Sequence, residues 1–241
     1  MLTLFKLPGA GLCPSLSPPC VKLETWLRMT GVPYDVAPGD TSAAPKRKLP
    51  YIQDGDLVLG DSTLVLDHLR ARYHVDPDRA LGPRDRMTGL AFRRLLKEHL
   101  YWIIVFFRWQ VEAGYEAYRD LLGSAVMPAA APDVRRAVID GFRPLMLQQL
   151  ASQGVGRHAP DEVASLGAAD LAALATMLEP GPYAFGETPT TLDATIYGSI
   201  CNILDVAVDS PLRDAVRTSP TLVDHCARMQ VSFFPELAAA A

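Results

Sequence analysis

Short apolar runs separated by turn residues characterise the first part of the chain. The run at 2–7, "LTLFKL", is closed by Pro8 and Gly9 and predicts a first strand. The run "VPYDVA" at 32–37 predicts a second strand, and the apolar runs on either side of Asp54 and Gly55 predict a β-hairpin. Together these segments predict a small β-sheet.

Helical spacing appears between and after these strands. One apolar face, with Gly31 in the place of a left-handed C-cap, predicts a helix over 18–30. Its apolar residues are Cys20, Leu23, Trp26 and Leu27. Ser62 is expected to cap a second helix, and the apolar face of that helix is Val65, Leu66, Leu69 and Tyr73. The predicted order is therefore βαβ followed by ββα.

The rest of the chain has a helical pattern alone. The segment "HVDPDRALGPRDR", which starts at His74, interrupts the period with proline, glycine and charge, so we expect domains over 1–76 and 85–241. Helices are predicted over 85–122, 131–152 and 160–178, with two or three more behind them. Thr190 and Asp193 have capping-box spacing and mark one helix start. The predicted fold class is an α/β thioredoxin-like N-terminal domain followed by an all-α C-terminal domain.

Charge and composition narrow the choice of partners. The formal net charge of -4 argues against the broad basic surface that nucleic acid requires, so no nucleic-acid partner is expected. The longest apolar run, at 100–107, is too short to cross a bilayer, and no export signal is evident. The 4 scattered cysteines favour a reducing, cytoplasmic compartment, and 5 histidines without ligand spacing predict no metal site.

The start of the first helix is the strongest candidate for chemistry. The hydroxyl of Ser17 and the thiol of Cys20 lie at a helix end whose free N–H groups and dipole favour a thiolate. Ser17 is either a cap that also contacts a bound thiol or a cap alone. Cys20 is either a reactive thiol or a small core residue, and its place on the apolar face favours the core.

Two loops offer further candidates. Pro50 precedes a strand, either as its first residue or after a cis peptide bond that turns Leu49 towards a ligand. The triplet "GDS" at 60–62 places Asp61 and Ser62 at another helix start. Its N–H groups can hold an anion while Asp61 pairs with an ammonium group, unless the pair is a plain cap.

An aromatic stripe lies on the long helix that follows the domain boundary. It consists of Tyr101, Trp102, Val105 and Arg108, with Glu98 and Trp109 beside them. Such stripes are usually core, and the two charges embedded in this one give the alternative that part of it lines a cleft.

Four segments in order, "SPPCVKLETWLRMTGVPY", "KLPYI", "GDS" and "FGETPTTLDATIYG", resemble the glutathione transferase superfamily over nearly the whole chain. The segments "EHLYW" and "GRHAPDEV" add a resemblance to the branch that contains the failed-axon-connections proteins and the metaxins. The resemblance implies a glutathione transferase-like fold with glutathione as co-substrate. It also implies a site for a small hydrophobic electrophile beside the first long helix, and a homodimer.

The resemblance also implies roles for individual residues. Ser17 matches the catalytic position, with Ser15 and Cys13 as its rivals. The residues that match the glutathione site are Leu49 and Pro50 at the cysteinyl backbone and Asp61 and Ser62 at the γ-glutamyl end. The segment that usually holds the glycine end is short in this chain, and Lys46 or Lys48 is the candidate substitute there. The wall of the electrophile site is matched by Tyr101, Trp102, Val105 and Arg108.

Three functions follow as hypotheses. The first is a transferase that activates the glutathione thiol through Ser17 and adds it to a small electrophile. The second is a non-catalytic binding or assembly module of the same fold. The third is a glutathione-dependent thiol-disulfide reductase that uses Cys20 or Cys13.

Overall fold

The computed structural model describes residues 1–239 and places a sheet of four strands at the N-terminal end. The strands are β1 (Leu2–Lys6), β2 (Asp35–Pro38), β3 (Tyr51–Asp54) and β4 (Leu57–Gly60), in the order β2-β1-β3-β4. Strand β1 pairs with β2 in parallel and with β3 in antiparallel fashion, so that Leu4 lies opposite both Val36 and Ile52. The predicted strands and hairpin are confirmed, with β2 starting later than expected.

Two helices complete this domain, α1 (Pro18–Thr30) and α2 (Ser62–Tyr73). The apolar face predicted for α1 is fully buried, and Gly31 ends the helix at a φ of 66°. The N-cap of α2 is Asp61 rather than Ser62, because the Asp61 carboxylate accepts the Thr63 N–H at 2.8 Å. Ser62 is instead the first residue of the helix.

Helices alone build the rest of the described chain. Helix α3 (Pro83–Arg94) passes through a π-helical turn (Leu95–Leu100) into α4 (Tyr101–Trp109) without a break. The later helices are α5 (Glu112–Val126), α6 (Pro132–Gln153), α7 (Pro160–Leu178), α8 (Thr191–Leu204), α9 (Pro211–Arg217), α10 (Pro220–Phe233) and α11 (Pro235–Ala239), with a short 3-10 turn at Val155–Arg157. None of the helices within residues 1–239 combines the length and apolar surface that crossing a bilayer requires.

The helix predicted over 85–122 is in fact two helices, because the chain turns at Gln110 and Val111. A tight approach explains the turn: a Cβ built on Gly114 would lie 2.0 Å from the carbonyl oxygen of Phe107. Only glycine permits α5 to pack back so closely on α4. The prediction of an unbroken helix was therefore wrong, and two or three helices after α7 was also too few.

The central helix of the molecule is α8, which is buried over almost its whole surface. Its predicted capping box is confirmed: the backbone N–H and the hydroxyl of Thr190 both donate to Asp193, each at 2.8 Å. Helix α1 packs across α8 at Gly198, where a Cβ would lie 2.6 Å from the carbonyl oxygen of Pro18. This contact fixes the start of α1 against the helical domain.

Candidate active site

Ser17 occupies the N-cap of α1 in extended backbone conformation, with φ at -126° and ψ at 115°. Its carbonyl oxygen accepts the N–H groups of Cys20 and Val21, at 3.0 and 3.1 Å. Its hydroxyl makes no capping hydrogen bond, and the residue is half-buried. The side chain is therefore not committed to holding the helix end.

The two rivals of Ser17 are engaged inside the preceding loop. Ser15 is fully buried and its hydroxyl donates to the carbonyl oxygen of Leu7 at 2.7 Å. Cys13 is 1% exposed, its thiol donates to the carbonyl oxygen of Ser15 at 3.0 Å, and its sulfur lies 3.8 Å from that of Cys201. Ser17 is the one of these three side chains that reaches solvent.

Cys20 lies on the buried side of α1 and is 0% exposed. Burial raises the pKa of its thiol, and the nearby Ser17, Leu7 and Ser15 groups and the charge of Lys6 oppose this only in part. A thiol in this environment stays protonated near neutral pH, which favours the core interpretation of Cys20.

Arg108 and Asn202 hold the loop that carries Ser17. The guanidinium of Arg108 donates to the carbonyl oxygen of Leu16 at 2.9 Å and to the amide oxygen of Asn202 at 3.1 Å. The Asn202 amide donates in turn to the carbonyl oxygen of Ser15 at 3.1 Å. The consecutive carbonyl groups of Ser15 and Leu16 are thus hydrogen-bonded to side chains of α4 and α8, and these bonds hold the start of α1.

These contacts place part of the aromatic stripe in the core. Arg108 is 4% and Val105 5% exposed, so both lie inside the helical domain and not along an open wall. The guanidinium also stacks on the ring of Tyr118, 4.8 Å from its centroid. Asn202 was not predicted from the sequence, although a polar residue within the apolar run of α8 was a usable signal.

Tyr101 and Trp102 are the half-buried members of the stripe. Their rings meet edge to face with centroids 5.3 Å apart. Burial raises the pKa of Tyr101 to about 12, with contributions from Tyr118 and Cys20 and an opposing one from Arg108. The phenol is therefore protonated at neutral pH and lies near the start of α1.

The loop between β2 and β3 meets α4 at this point. The Leu49-Pro50 peptide bond is cis, with Pro50 buried and Leu49 half-buried. The ammonium group of Lys48 lies 5.7 Å from the ring centroid of Trp102, whereas that of Lys46 donates to the carbonyl oxygen of Gly60 at 3.1 Å. Lys48 therefore faces the aromatic residues, and Lys46 supports the hairpin.

The amino end of α2 combines a cap with an ion pair. Asp61 has a φ of 78°, and its second carboxylate oxygen lies 2.9 Å from the ammonium group of Lys97. Burial disfavours the charged carboxylate, but hydrogen bonds from Lys97 and the Thr63 N–H outweigh it and lower the pKa of Asp61. Ser62 is 4% exposed. Lys97 was not singled out from the sequence, although it lies one helical turn before Tyr101.

Two parts of the chain match known protein-family models. Residues 18–114 match the model of the glutathione S-transferase N-terminal domain, and residues 167–229 match that of the C-terminal domain. The chain is 31% identical over 239 residues to isoprene-epoxide–glutathione S-transferase of Rhodococcus sp. strain AD45, covering 97% of this chain and 99% of that protein. The chain belongs to the glutathione S-transferase family.

Two further proteins are similar to this chain. The chain is 29% identical over 245 residues to the Failed axon connections protein of Drosophila melanogaster, which confirms the narrower resemblance. The chain spans only 59% of the length of that protein. A β-etherase from Sphingobium sp. strain SYK-6 shares the transferase fold with a TM-score of 0.65 at 15% identity, over 100% of this chain and 99% of that one.

Proposed function

We propose that the protein is a glutathione transferase that joins the sulfur of glutathione to a small electrophile. The observation that carries the proposal is the Ser17 hydroxyl, half-buried at the amino end of α1 and free of capping duty. Such a hydroxyl can donate a hydrogen bond to a thiolate, which the helix end also favours. The whole-length similarity to a transferase points the same way.

Glutathione would lie across the ends of α1 and α2. Leu49 and Pro50 meet its cysteinyl backbone, Asp61 and Ser62 its γ-glutamyl end, and Lys48 its glycine carboxylate. The support is that the Lys48 ammonium group lies 5.7 Å from the Trp102 ring and Asp61 pairs with Lys97, and that Trp102 and Lys97 belong to the same continuous helical segment as Tyr101.

The second substrate is a small epoxide or a similar electrophile, held against Tyr101 and Trp102. The thiol proton passes to solvent, the sulfur attacks an epoxide carbon, and the carbon–oxygen bond breaks. The resulting alkoxide takes a proton from the Tyr101 phenol, which solvent then restores. The raised pKa of Tyr101, about 12, keeps this donor protonated at neutral pH. The relative that acts on isoprene epoxide supports this choice.

A matched pair of serine variants tests the transferase. We expect Ser17→Ala to lower conjugation of glutathione to isoprene epoxide about a hundredfold, because a donor to the thiolate is lost. Ser210→Ala is the control, since the Ser210 hydroxyl does cap α9 by accepting the Arg213 N–H at 3.3 Å. It should lower stability by about 1 kcal/mol and leave conjugation unchanged. Full conjugation by Ser17→Ala would remove Ser17 from the mechanism.

Binding and activity measurements also test the two other candidate functions. A non-catalytic module of the same fold, which the resemblance to the failed-axon-connections branch also allows, would show no saturable glutathione binding in calorimetry. A thiol-disulfide reductase would lose activity in Cys20→Ser and keep it in Ser17→Ala. The burial of Cys20 and its raised pKa favour the transferase over this alternative.

The transferase is proposed to act as a homodimer in a reducing, cytoplasmic environment. Apolar side chains are exposed on β4, α2 and α3: Val58 at 44%, Leu64 at 48%, Met87 at 72% and Leu90 at 46%. All 4 cysteines are free thiols, which suits reducing conditions. Light scattering at micromolar protein concentration should give twice the chain mass, and a monomer would contradict the dimer.

A further inference from the structure

A polar cavity of about 160 Å³ lies where the two domains meet. It is bounded by the end of α2, the connecting segment 74–82, one face of α3 and the residues that lead into α8. The charged residues that line it are Arg70, Arg86, Arg93, Asp76 and Asp78. A cavity of this size holds on the order of ten water molecules, so it also admits a small polyatomic ion.

Arg70 of α2 is engaged by protein groups. Its guanidinium donates to four side chains, which are Asp67 at 3.2 Å, Asp76 at 3.2 Å, Asp78 at 2.9 Å and Thr191 at 2.7 Å. A guanidinium carries only five N–H donors. Arg70 therefore ties the connecting segment to α2 and α8 and has little left to offer a ligand.

The two aspartates of the cavity are held without help from the arginines of α3. Asp78 is 6% exposed, and one of its carboxylate oxygens accepts the Thr191 N–H at 2.8 Å while the other accepts from Arg70. The Asp76 carboxylate accepts the Asp78 N–H at 3.0 Å in addition to its bond from Arg70. Both carboxylates stay hydrogen-bonded when the arginines of α3 turn to another group.

Arg86 and Arg93 lie about two turns apart on α3 and have donors to spare. The Nε of Arg86 donates to the carbonyl oxygen of Leu81 at 3.0 Å, and its Nη1 is 3.6 Å from Asp76, too far for a hydrogen bond. Arg93 reaches Asp78 through Nη1 at 3.4 Å. In the described part of the chain, their other N–H groups have no acceptor. The two side chains are 44% and 25% exposed, so a ligand can approach them.

We propose that this cavity binds a phosphate group, held by the guanidinium groups of Arg86 and Arg93. Three arginines against two aspartates leave one positive charge in the lining without a carboxylate. Asp67, the further partner of Arg70, is 64% exposed, and water screens its charge. A phosphate has enough oxygens to accept paired N–H groups from both arginines at once, whereas the two oxygens of a carboxylate suit one arginine.

The phosphate site is separate from the proposed active site. It lies between α3 and the connecting segment, and its assignment does not depend on the transferase proposal. Phosphate binds the folded chain alone, because the cavity exists only where these segments pack together. Binding therefore stabilises the junction of the two domains by mass action.

Thermal unfolding and calorimetry with inorganic phosphate test the inference, at an ionic strength kept constant with sodium chloride. We expect saturable binding by wild type with a Kd below about 10 mM, and a melting temperature raised by about 3–5 °C at ten times the Kd. Arg86→Met should bind at least about tenfold more weakly, because charge-assisted hydrogen bonds are lost. The Arg86 side chain is largely exposed, so this variant should fold.

Arg84→Met is the matched control. Arg84 is exposed in the first turn of the same helix and lies outside the cavity lining, so its replacement removes the same charge without touching the site. It should bind phosphate as wild type does. Arg93→Met should weaken binding as Arg86→Met does, and the double variant should show no saturable binding.

Methyl phosphate separates two sources of the phosphate group. If it binds at least as tightly as inorganic phosphate, the site takes a phosphate monoester, and if it is excluded, the site takes the free ion. Both results keep the inference. Ser17→Ala should bind phosphate as wild type does, whatever its conjugation rate, which separates this site from the proposed function.

Three results overturn the inference. The first is no saturable binding of phosphate by wild type up to about 50 mM. The second is an equal loss of affinity in Arg84→Met and Arg86→Met, which makes the effect one of general charge. The third is displacement of phosphate by an equal concentration of acetate, which shows that the site does not select a phosphate group.

Discussion

The starts of α1 and α8 look alike in sequence but are used differently. Each has a hydroxyl residue at its N-cap, Ser17 in one case and Thr190 in the other. The Thr190 hydroxyl is 2.8 Å from Asp193 and buried, whereas the Ser17 hydroxyl makes no capping bond and reaches solvent. A helix start that is closed by its own side chains serves folding, and one that is held from outside leaves its hydroxyl available for a ligand.

Breaking the side-chain contacts at the start of α8 should cost more stability than breaking those at the start of α1. Asp193 is 0% exposed and accepts from the Ala184 N–H at 2.8 Å, from Thr190, and from His225 at 3.0 Å. Asp193→Ala removes all of these contacts and leaves buried donors unpaired, so we expect a loss of about 3–5 kcal/mol of unfolding free energy. Urea denaturation followed by circular dichroism measures it.

The exposed start of α7 gives the control for Asp193, although its N-cap is Ala159, so that only the Glu162 half of a capping box is present. The Glu162 carboxylate accepts the Ala159 N–H at 2.9 Å, but its side chain is 60% exposed. Glu162→Ala should cost less than about 1 kcal/mol because water replaces the lost contact. Equal losses for the two variants would mean that burial does not separate the two helix starts.

The stability of the start of α1 should depend on Arg108 more than on its N-cap residue, Ser17. Arg108→Met removes the 2.9 Å hydrogen bond to the buried carbonyl oxygen of Leu16, which keeps only the longer one from the Tyr118 hydroxyl at 3.4 Å, so we expect a loss of about 1–3 kcal/mol. Ser17 then loses the loop geometry that Arg108 maintains, so conjugation should fall about tenfold at saturating glutathione as well. A variant with lower stability but unchanged conjugation would show that Arg108 does not position Ser17.

Alanine at the two N-caps should give opposite results. Thr190→Ala loses a buried hydrogen bond to Asp193 and should cost about 1 kcal/mol of stability with unchanged conjugation. Ser17→Ala should leave stability within about 0.5 kcal/mol, since no capping bond is lost. Parallel unfolding curves and rate measurements on both variants decide the comparison, and similar profiles for the two would remove the distinction between the ends.

The start of α2 is intermediate and gives the smallest effect. Asp61 has a lowered pKa, so its contribution to stability is present above the pKa of the unfolded chain and is lost as pH falls through the folded value. We expect Asp61→Asn to be less stable than wild type at neutral pH, by less than about 1 kcal/mol, and the difference to vanish once the pH lies below the folded pKa of Asp61. A difference that persists in acid would assign the effect to the cap alone.

Local signals were sufficient where the physics is local. Pro18 and Gly31 bracket α1 because proline suits a first helical turn and glycine a left-handed cap, and the predicted bounds of 18–30 agree with the structure. The Thr190 and Asp193 pair was recognisable for the same reason, since its contacts span a single helical turn. The candidate residues Ser17 and Asp61 were likewise identified from helix starts, and their roles in binding remain predictions.

Contacts that form only when the helices pack decided the rest. The break before α5 comes from the close backbone approach of Gly114 to Phe107, and the burial of Arg108 comes from its contacts with Leu16 and Asn202, which are far away in sequence. Neither contact leaves a trace in hydrophobic periodicity, because backbone and polar groups set the geometry. This is also why the stripe from Tyr101 to Arg108 divides into a half-buried and a buried part.

The sequence alone determined the order of strands and helices, the helix caps and the family resemblance, because each depends on neighbouring residues and their spacing. The tertiary structure decided which hydroxyl is left without a capping bond. Arg108 and Asn202 hold the carbonyl oxygens of the loop that carries Ser17 from other helices, and the Ser17 hydroxyl makes no capping bond. Burial and charge balance are properties of packed elements, and they exist only when the chain is folded.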